Sequence, residues 1–251
     1  MRRILLLTLL FVLAVSIADV RAQLGNIKVS GGLVTTKILG DNPAAKPIIE
    51  RDTSKPFIIG GSYDVPQNGI FLNFDIAIDE NEDLIIPFGI EYNFFRASER
   101  IPVTKFVTYV YSNDVDILTP YTGFKYKFFK FPVANAKAYA EARFTVNFVG
   151  SSDFSLHERR YQQSDTTLYF PEKEAVTRLG GRIKIGFEGE LLSPVFVDSG
   201  ISWGFINLLG RDETDPEEGG RGELLTPLTR FETGESLVQT LNIYFSIKYK
   251  L

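Results

Sequence analysis

The 251-residue chain contains no cysteine, one histidine, one methionine and one tryptophan. Without thiols there is no disulfide framework, thiolate nucleophile, iron–sulfur cluster, cysteine-ligated zinc or cysteine for N-terminal lipidation. His157, standing alone, excludes a multi-histidine metal centre. An excess of positive charge is missing too: 27 Lys and Arg stand against 31 Asp and Glu, a net charge of −4. That leaves no basic stripe to displace counterions from a phosphate backbone, so nucleic acid is not an expected partner. A long hydrophobic run occurs only at the N-terminus; the longest comparable later stretch, Leu84 to Ile90, is broken by Pro87 and Gly89. What the chain has in quantity is aromatic residues, with 21 Phe and 11 Tyr, a bias toward strand formers that predicts a β-rich protein. With 44% hydrophobic residues it can bury a core, and one domain is expected.

Met1-Arg2-Arg3 forms a positive start and Ile4 to Ile17 an apolar run, followed by small residues suited to cleavage after Ala18 or after Ala22. This is the layout of a secretory signal peptide, and the run is shorter than the ~20 residues a spanning helix needs. Residues 1–22 are expected to be the leader and 23–251 the exported domain.

Side chains alternate between the faces of a strand, so period-two patterns show which residues share a face. In the last eleven residues Leu241, Ile243, Phe245, Ile247, Tyr249 and Leu251 oppose Asn242, Tyr244, Ser246, Lys248 and Lys250. Comparable runs cover residues 70–79, 84–94, 118–128, 137–148, 182–191 and 195–205, with a glycine-interrupted first candidate over 27–38. Most approach the ~9 to 11 residues that a tilted strand needs to cross a bilayer, against ~5 to 6 in an ordinary soluble sheet. Aromatics gather near the run ends: Tyr92, Phe94, Phe128, Phe129, Phe148, Trp203 and Tyr249. The connections alternate between short turns (80–83, 130–135, 192–194) and long loops (about 40–67, 96–116, 149–176 and 207–236). Together these features predict an all-β, antiparallel transmembrane β-barrel of eight strands. A ten-strand alternative adds Phe57 to Val65 and Val103 to Ser112.

The terminal strand resembles the assembly signal of bacterial outer-membrane proteins, with Ile243, Phe245, Ile247, Tyr249 and Leu251 at the matching positions. Leu251 stands where that family usually ends in Phe or Trp. The chain resembles the small outer-membrane β-barrels of the OmpA/OmpX-like kind. The resemblance implies outer-membrane localisation in a Gram-negative cell, outer-membrane lipid and lipopolysaccharide as surroundings, and the barrel assembly machinery as partner in biogenesis.

In such a barrel the polar faces would point inward, carrying Lys125, Lys127, Glu141, Arg143, Arg182, Lys184, Glu188 and Asp198, with Lys28, Asp75, Glu91, Lys248 and Lys250. Eight strands enclose just enough room for side chains, so the charges are expected to form a salt-bridged plug. A small porin or solute channel is the alternative within the membrane class. A periplasmic lipocalin-like barrel is the alternative outside it, and would turn the Ile/Phe faces inward around a ligand. His157, in Ser155-Leu156-His157-Glu158-Arg159-Arg160, matches no hydrolase spacing, and the acidic stretch Asp212 to Gly220 lacks calcium-loop spacing. The expected role is therefore structural or surface-interacting, through residues 149–176 and 207–236, without catalysis, metal or cofactor.

Overall fold

The computed structural model describes residues 27–49, 60–132, 135–162, 164–212, 222–227 and 234–251. The expected leader, residues 1–22, lies outside them. Ten antiparallel strands form one sheet: β1 (Ile27–Leu39), β2 (Gln67–Ala77), β3 (Leu84–Pro102), β4 (Val107–Lys130), β5 (Lys137–Val149), β6 (Asp153–Arg160), β7 (Thr166–Tyr169), β8 (Val176–Leu192), β9 (Val195–Leu209) and β10 (Gln239–Lys250). Strands β1 to β5 and β8 to β10 close an eight-strand ring, because β10 pairs back onto β1 with Leu33 opposite Phe245. Closure leaves the ring without a free edge, as a backbone immersed in lipid requires.

The outward positions are apolar and the inward ones polar. Leu33, Ile70, Phe88, Phe124, Phe144, Ile185, Ile201 and Phe245 are all at least 45% exposed. Between them in sequence, Asn73, Glu91, Lys125, Arg143, Lys184, Asp198 and Lys248 are no more than 6% exposed. A water-soluble barrel would place these sets the other way round, since exposed apolar surface of this extent is unfavourable in water. The lipocalin-like alternative is overturned on this point: the Ile/Phe faces point outward.

The ends of the strands that join β2 to β3, β4 to β5 and β8 to β9 through few residues lie at one end of the ring, here the turn end, and the opposite end, from which β3 and β4 project, is the loop end. At the turn end Phe131 packs between Phe129 and Phe187, with ring centroids at 4.7 and 5.6 Å. Toward the loop end Tyr92 meets Phe94 at 4.8 Å and Trp203 meets Phe205 at 4.9 Å. Aromatic pairs thus stand at both ends of the apolar belt, as expected at two membrane interfaces, although Phe88, Phe144 and Phe245 carry aromatic rings into its middle as well.

The loop end departs from the sequence expectation. Residues 96–116, expected to be a loop, continue β3 and β4 well beyond the ring, paired from Arg96–Asp114 out to Pro102–Thr108. Val103 to Ser112 supplies no separate strand; its second half is the start of β4. Residues 60–65 are irregular, and 57–59 lie outside the described residues. The stretch 149–176 is not a plain loop either: β6 pairs with β4 from Val107–Arg160 to Asp114–Asp153, and β7 pairs with β6. The outer halves of β3 and β4 with β6 and β7 make a four-stranded sheet projecting from the ring. Extended hairpins pair their own backbone groups, so 96–116 needs no other partner for them.

Candidate functional site: the barrel interior and the projecting sheet

Each inward residue faces the axis because its strand alternates, and the register sets its height. Nearest the turn end, three carboxylates sit among five lysines. Lys125 Nζ lies 3.3 Å from Asp75, 3.1 Å from Glu188 and 3.3 Å from Asp198. Lys248 Nζ reaches the same three at 2.6, 2.9 and 2.8 Å. Lys28 and Lys127 donate to Glu188 at 2.9 and 2.7 Å, and Lys184 contacts Asp198 at 3.1 Å. The Tyr139 hydroxyl donates to Asp198 at 2.8 Å, and Lys125 Nζ stands 3.9 Å from the centre of its ring. Glycine 186 makes room for that ring: a Cβ there would lie 2.5 Å from the Tyr139 oxygen.

Midway along the axis Arg182 grips Glu91 at 2.7 and 2.9 Å. Tyr244 accepts from Arg182 at 2.7 Å and donates to Glu91 at 2.9 Å, and Asn93 donates to Glu91 at 2.6 Å. Arg143 pairs with Glu141, and its guanidinium lies over the Tyr121 ring at 4.2 Å. Toward the loop end neutral pairs join one further ion pair: Thr36 donates to Asn242 at 2.7 Å and Thr119 to Asn147 at 2.9 Å, while Arg178 holds Glu235 at 2.6 Å. The structure thus places Lys125, Lys127, Glu141, Arg143, Arg182, Lys184, Glu188 and Asp198 inside the ring, all at most 6% exposed. The space enclosed by Asp75, Lys125, Glu141, Arg143 and Lys248 leaves no room for water.

An apolar cap closes the loop end. Ile38, Tyr63, Phe95, Val115, Ile206, Leu224, Leu225 and Val238 form one buried cluster over the ring. Tyr63 donates to the Asn113 carbonyl at 2.9 Å, while the Asn113 amide donates to the carbonyls of Gly61 and Leu225 at 3.3 and 3.2 Å. Burial pushes the Tyr63 hydroxyl well above the usual tyrosine range, with Asp114 adding to the effect and Arg96 opposing it. Sequence reading missed this cap; its signal is the apolar Tyr63 and Leu224-Leu225 inside connections that are otherwise polar.

No protein-family model matches the chain, and no curated protein matches its sequence. Among solved structures the barrel is similar to Neisserial surface protein A, at 12% identity, covering 90% of this chain and 99% of that one, with a TM-score of 0.50. The fold is that of a small outer-membrane β-barrel. The attachment invasion locus protein Ail of Yersinia pestis, solved with the heparin analogue sucrose octasulfate, is similar at 9% identity over 91% of this chain and 100% of that one, with a TM-score of 0.44.

In this outer-membrane barrel fold His157 lies on the projecting sheet. Its Nδ1 is 2.8 Å from Thr167 Oγ1 and its Nε2 is 3.3 Å from Asp165 Oδ2. His157 and Thr167 are cross-strand partners of the β6–β7 hairpin, so the contact ties the hairpin together. The His157 and Asp165 side chains are 34% and 47% exposed, so the group is half open to solvent. A catalytic dyad needs a shielded base and donors for the developing charge. The acidic stretch beyond Asp212, residues 213–220, lies outside the described residues.

Proposed function

We propose that the protein is an outer-membrane scaffold that holds a projecting sheet and its neighbouring loops toward the exterior, with a plugged interior and no catalytic role. The interior carries the reading: ion pairs fill the ring and an apolar cap covers it, so little path for solute remains. The projecting sheet supports the surface role, because rigid scaffolds place contact surfaces on their connections. Short turns face the periplasm and long connections the outside in barrels of this class, which directs β6, β7 and residues 222–227 outward. Loops 149–176 and 207–236 remain the proposed contact regions, the first now as a hairpin.

On this reading residues 1–22 export the chain, and outer-membrane lipid and lipopolysaccharide surround the belt. Phe245, Ile247, Tyr249 and Leu251, all at least 44% exposed on the outward face, are available to the barrel assembly machinery before lipid covers them. The test is membrane fractionation with gel mobility before and after boiling, followed by planar-bilayer recording. Outer-membrane recovery, a heat-dependent mobility shift and no stable conductance are expected. Reproducible channel steps abolished by Lys127→Glu or Arg182→Glu would replace the plug with a porin, the runner-up.

A further inference from the structure

The lysine layer at the turn end holds more positive charge than its carboxylates cancel. Lys28, Lys125, Lys127, Lys184 and Lys248 are at most 5% exposed, and the acids beside them are Asp75, Glu188 and Asp198. The Arg182–Glu91 and Arg143–Glu141 pairs above are each balanced, so among the described residues the layer keeps a surplus of two. Glu82, at the rim, reaches Lys28 at 3.0 Å but is shared with Lys250 at 2.6 Å, which leaves the surplus unchanged. Glu188 alone accepts from four lysines: Lys28, Lys125, Lys127 and Lys248. Among the described residues Lys127 pairs with that shared carboxylate alone. Buried charge is tolerated when it is paired, and an unmatched ammonium withdrawn from water is costly.

This layer borders open space. A cavity of about 280 Å³ lies at the turn end, walled by Lys28, Lys127 and Lys250, with Lys130 and Lys137 around it. Of the carboxylates on the same wall, Glu82 and Glu188 are each engaged by two or more lysines, and Glu190 accepts from the Asn135 amide at 2.9 Å; the five lysines of the wall still outnumber these three acids by two. We propose that this cavity binds a small oxyanion, free phosphate or the phosphate of a monoester, held by Lys28, Lys127 and Lys250. Ammonium groups recognise phosphate as point charges, and a dianion would offset the surplus of two. The site requires the barrel alone and goes beyond the surface role proposed above.

The experiment uses residues 23–251 refolded in detergent micelles, with the thermal midpoint of the gel-mobility shift as readout. Inorganic phosphate and glycerol phosphate are each titrated against chloride at equal ionic strength. The midpoint of the wild type is expected to rise with phosphate, because a ligand that binds only the folded state stabilises it. Lys127→Met is expected to weaken the apparent affinity about tenfold or more, as loss of a charged contact does. It is also expected to melt higher than wild type in chloride, since it removes surplus charge. Equal responses to the two anions assign a free-phosphate site, and a larger response to the ester assigns a monoester site. No phosphate response in wild type, or the same response in Lys127→Met, overturns the proposal. If Lys127→Met does not fold, Lys250→Gln at the half-buried rim serves instead: weaker phosphate binding supports the site, and unchanged affinity overturns it.

Discussion

Glu91→Gln tests whether the barrel interior is a dry plug or a wetted lumen. Glu91 is fully buried and accepts from Arg182 at 2.7 and 2.9 Å, from Tyr244 at 2.9 Å and from Asn93 at 2.6 Å. The amide keeps the shape but removes the charge, leaving the Arg182 guanidinium without its counter-ion; Arg182 Nε already finds no hydrogen-bond partner among the described residues. Two unit charges about 4 Å apart attract by about 4 kcal/mol at an effective dielectric of about 20. Removing one partner of a buried pair costs about 3 to 5 kcal/mol by experience elsewhere. A destabilisation of about 3 to 5 kcal/mol is therefore expected, while an Arg182→Leu, Glu91→Leu double variant is expected to recover much of it by removing both charges. The assay is urea unfolding in micelles followed by Trp203 fluorescence, the only tryptophan, which sits on the lipid face at 42% exposure. A loss below about 1 kcal/mol, the scale of a water-screened pair, would show that water reaches Glu91 and would refute the plug.

Ile185→Arg puts a charge on the outward face of β8, where Ile185 is 62% exposed, and is expected to cost about 2 to 4 kcal/mol in a bilayer, against about 0 to 1 for Tyr249→Arg near the interface. Equal costs in vesicle unfolding would misplace the belt. Gly186→Ala drives a Cβ into the Tyr139 hydroxyl and the Ser199 carbonyl, each 2.5 Å away, and is expected to lose about 1 to 3 kcal/mol with the Tyr139–Asp198 bond; an unchanged urea midpoint would contradict the close approach. Burial raises the Glu82 carboxyl, but hydrogen bonds and charge from Lys250 and Lys28 more than offset this and hold it below the usual range. A lowered carboxylate stabilises the fold above its unfolded value, about 4.3, and loses that contribution as pH falls through the folded value. Wild type is expected to exceed Glu82→Gln in thermal midpoint near neutrality and converge with it in acid; parallel profiles would deny the clamp.

The ring was legible because lipid imposes one rule on every strand: apolar outward, whatever faces inward. Leu241 to Leu251 obeys it residue by residue, and so do 118–128 and 182–188. Beyond the membrane the rule lapses. Val107 to Val110 is half-buried on both faces and β7 is exposed throughout, so period two fades and the projecting sheet read as loop. The inward orientation of Lys125 or Glu188 followed from alternation, but their partners did not. Lys248 meets Asp75 across a separation of 173 residues, a pairing fixed by register and strand tilt that no local pattern encodes. The cap was hidden for a related reason, since Tyr63, Val115 and Leu225 become neighbours only once the ring has closed.

The pairing of β1 with β10 is a seam between the first and last strands of the ring. It runs over twelve residue pairs, from Lys28–Lys250 to Leu39–Gln239, and just outside the Lys28–Lys250 end the Leu251 amide donates to the Ile27 carbonyl at 2.9 Å. Before that seam forms, the eight strands are an open sheet with β1 and β10 as unsatisfied edges and an apolar face, a template for wrong partners. Bringing the edges together closes a loop of more than two hundred residues, a slow and late event in folding. Truncation before β10 is therefore expected to yield an aggregating sheet in place of a seven-strand barrel. Release of the finished barrel has a natural checkpoint: the zip of β10 along β1.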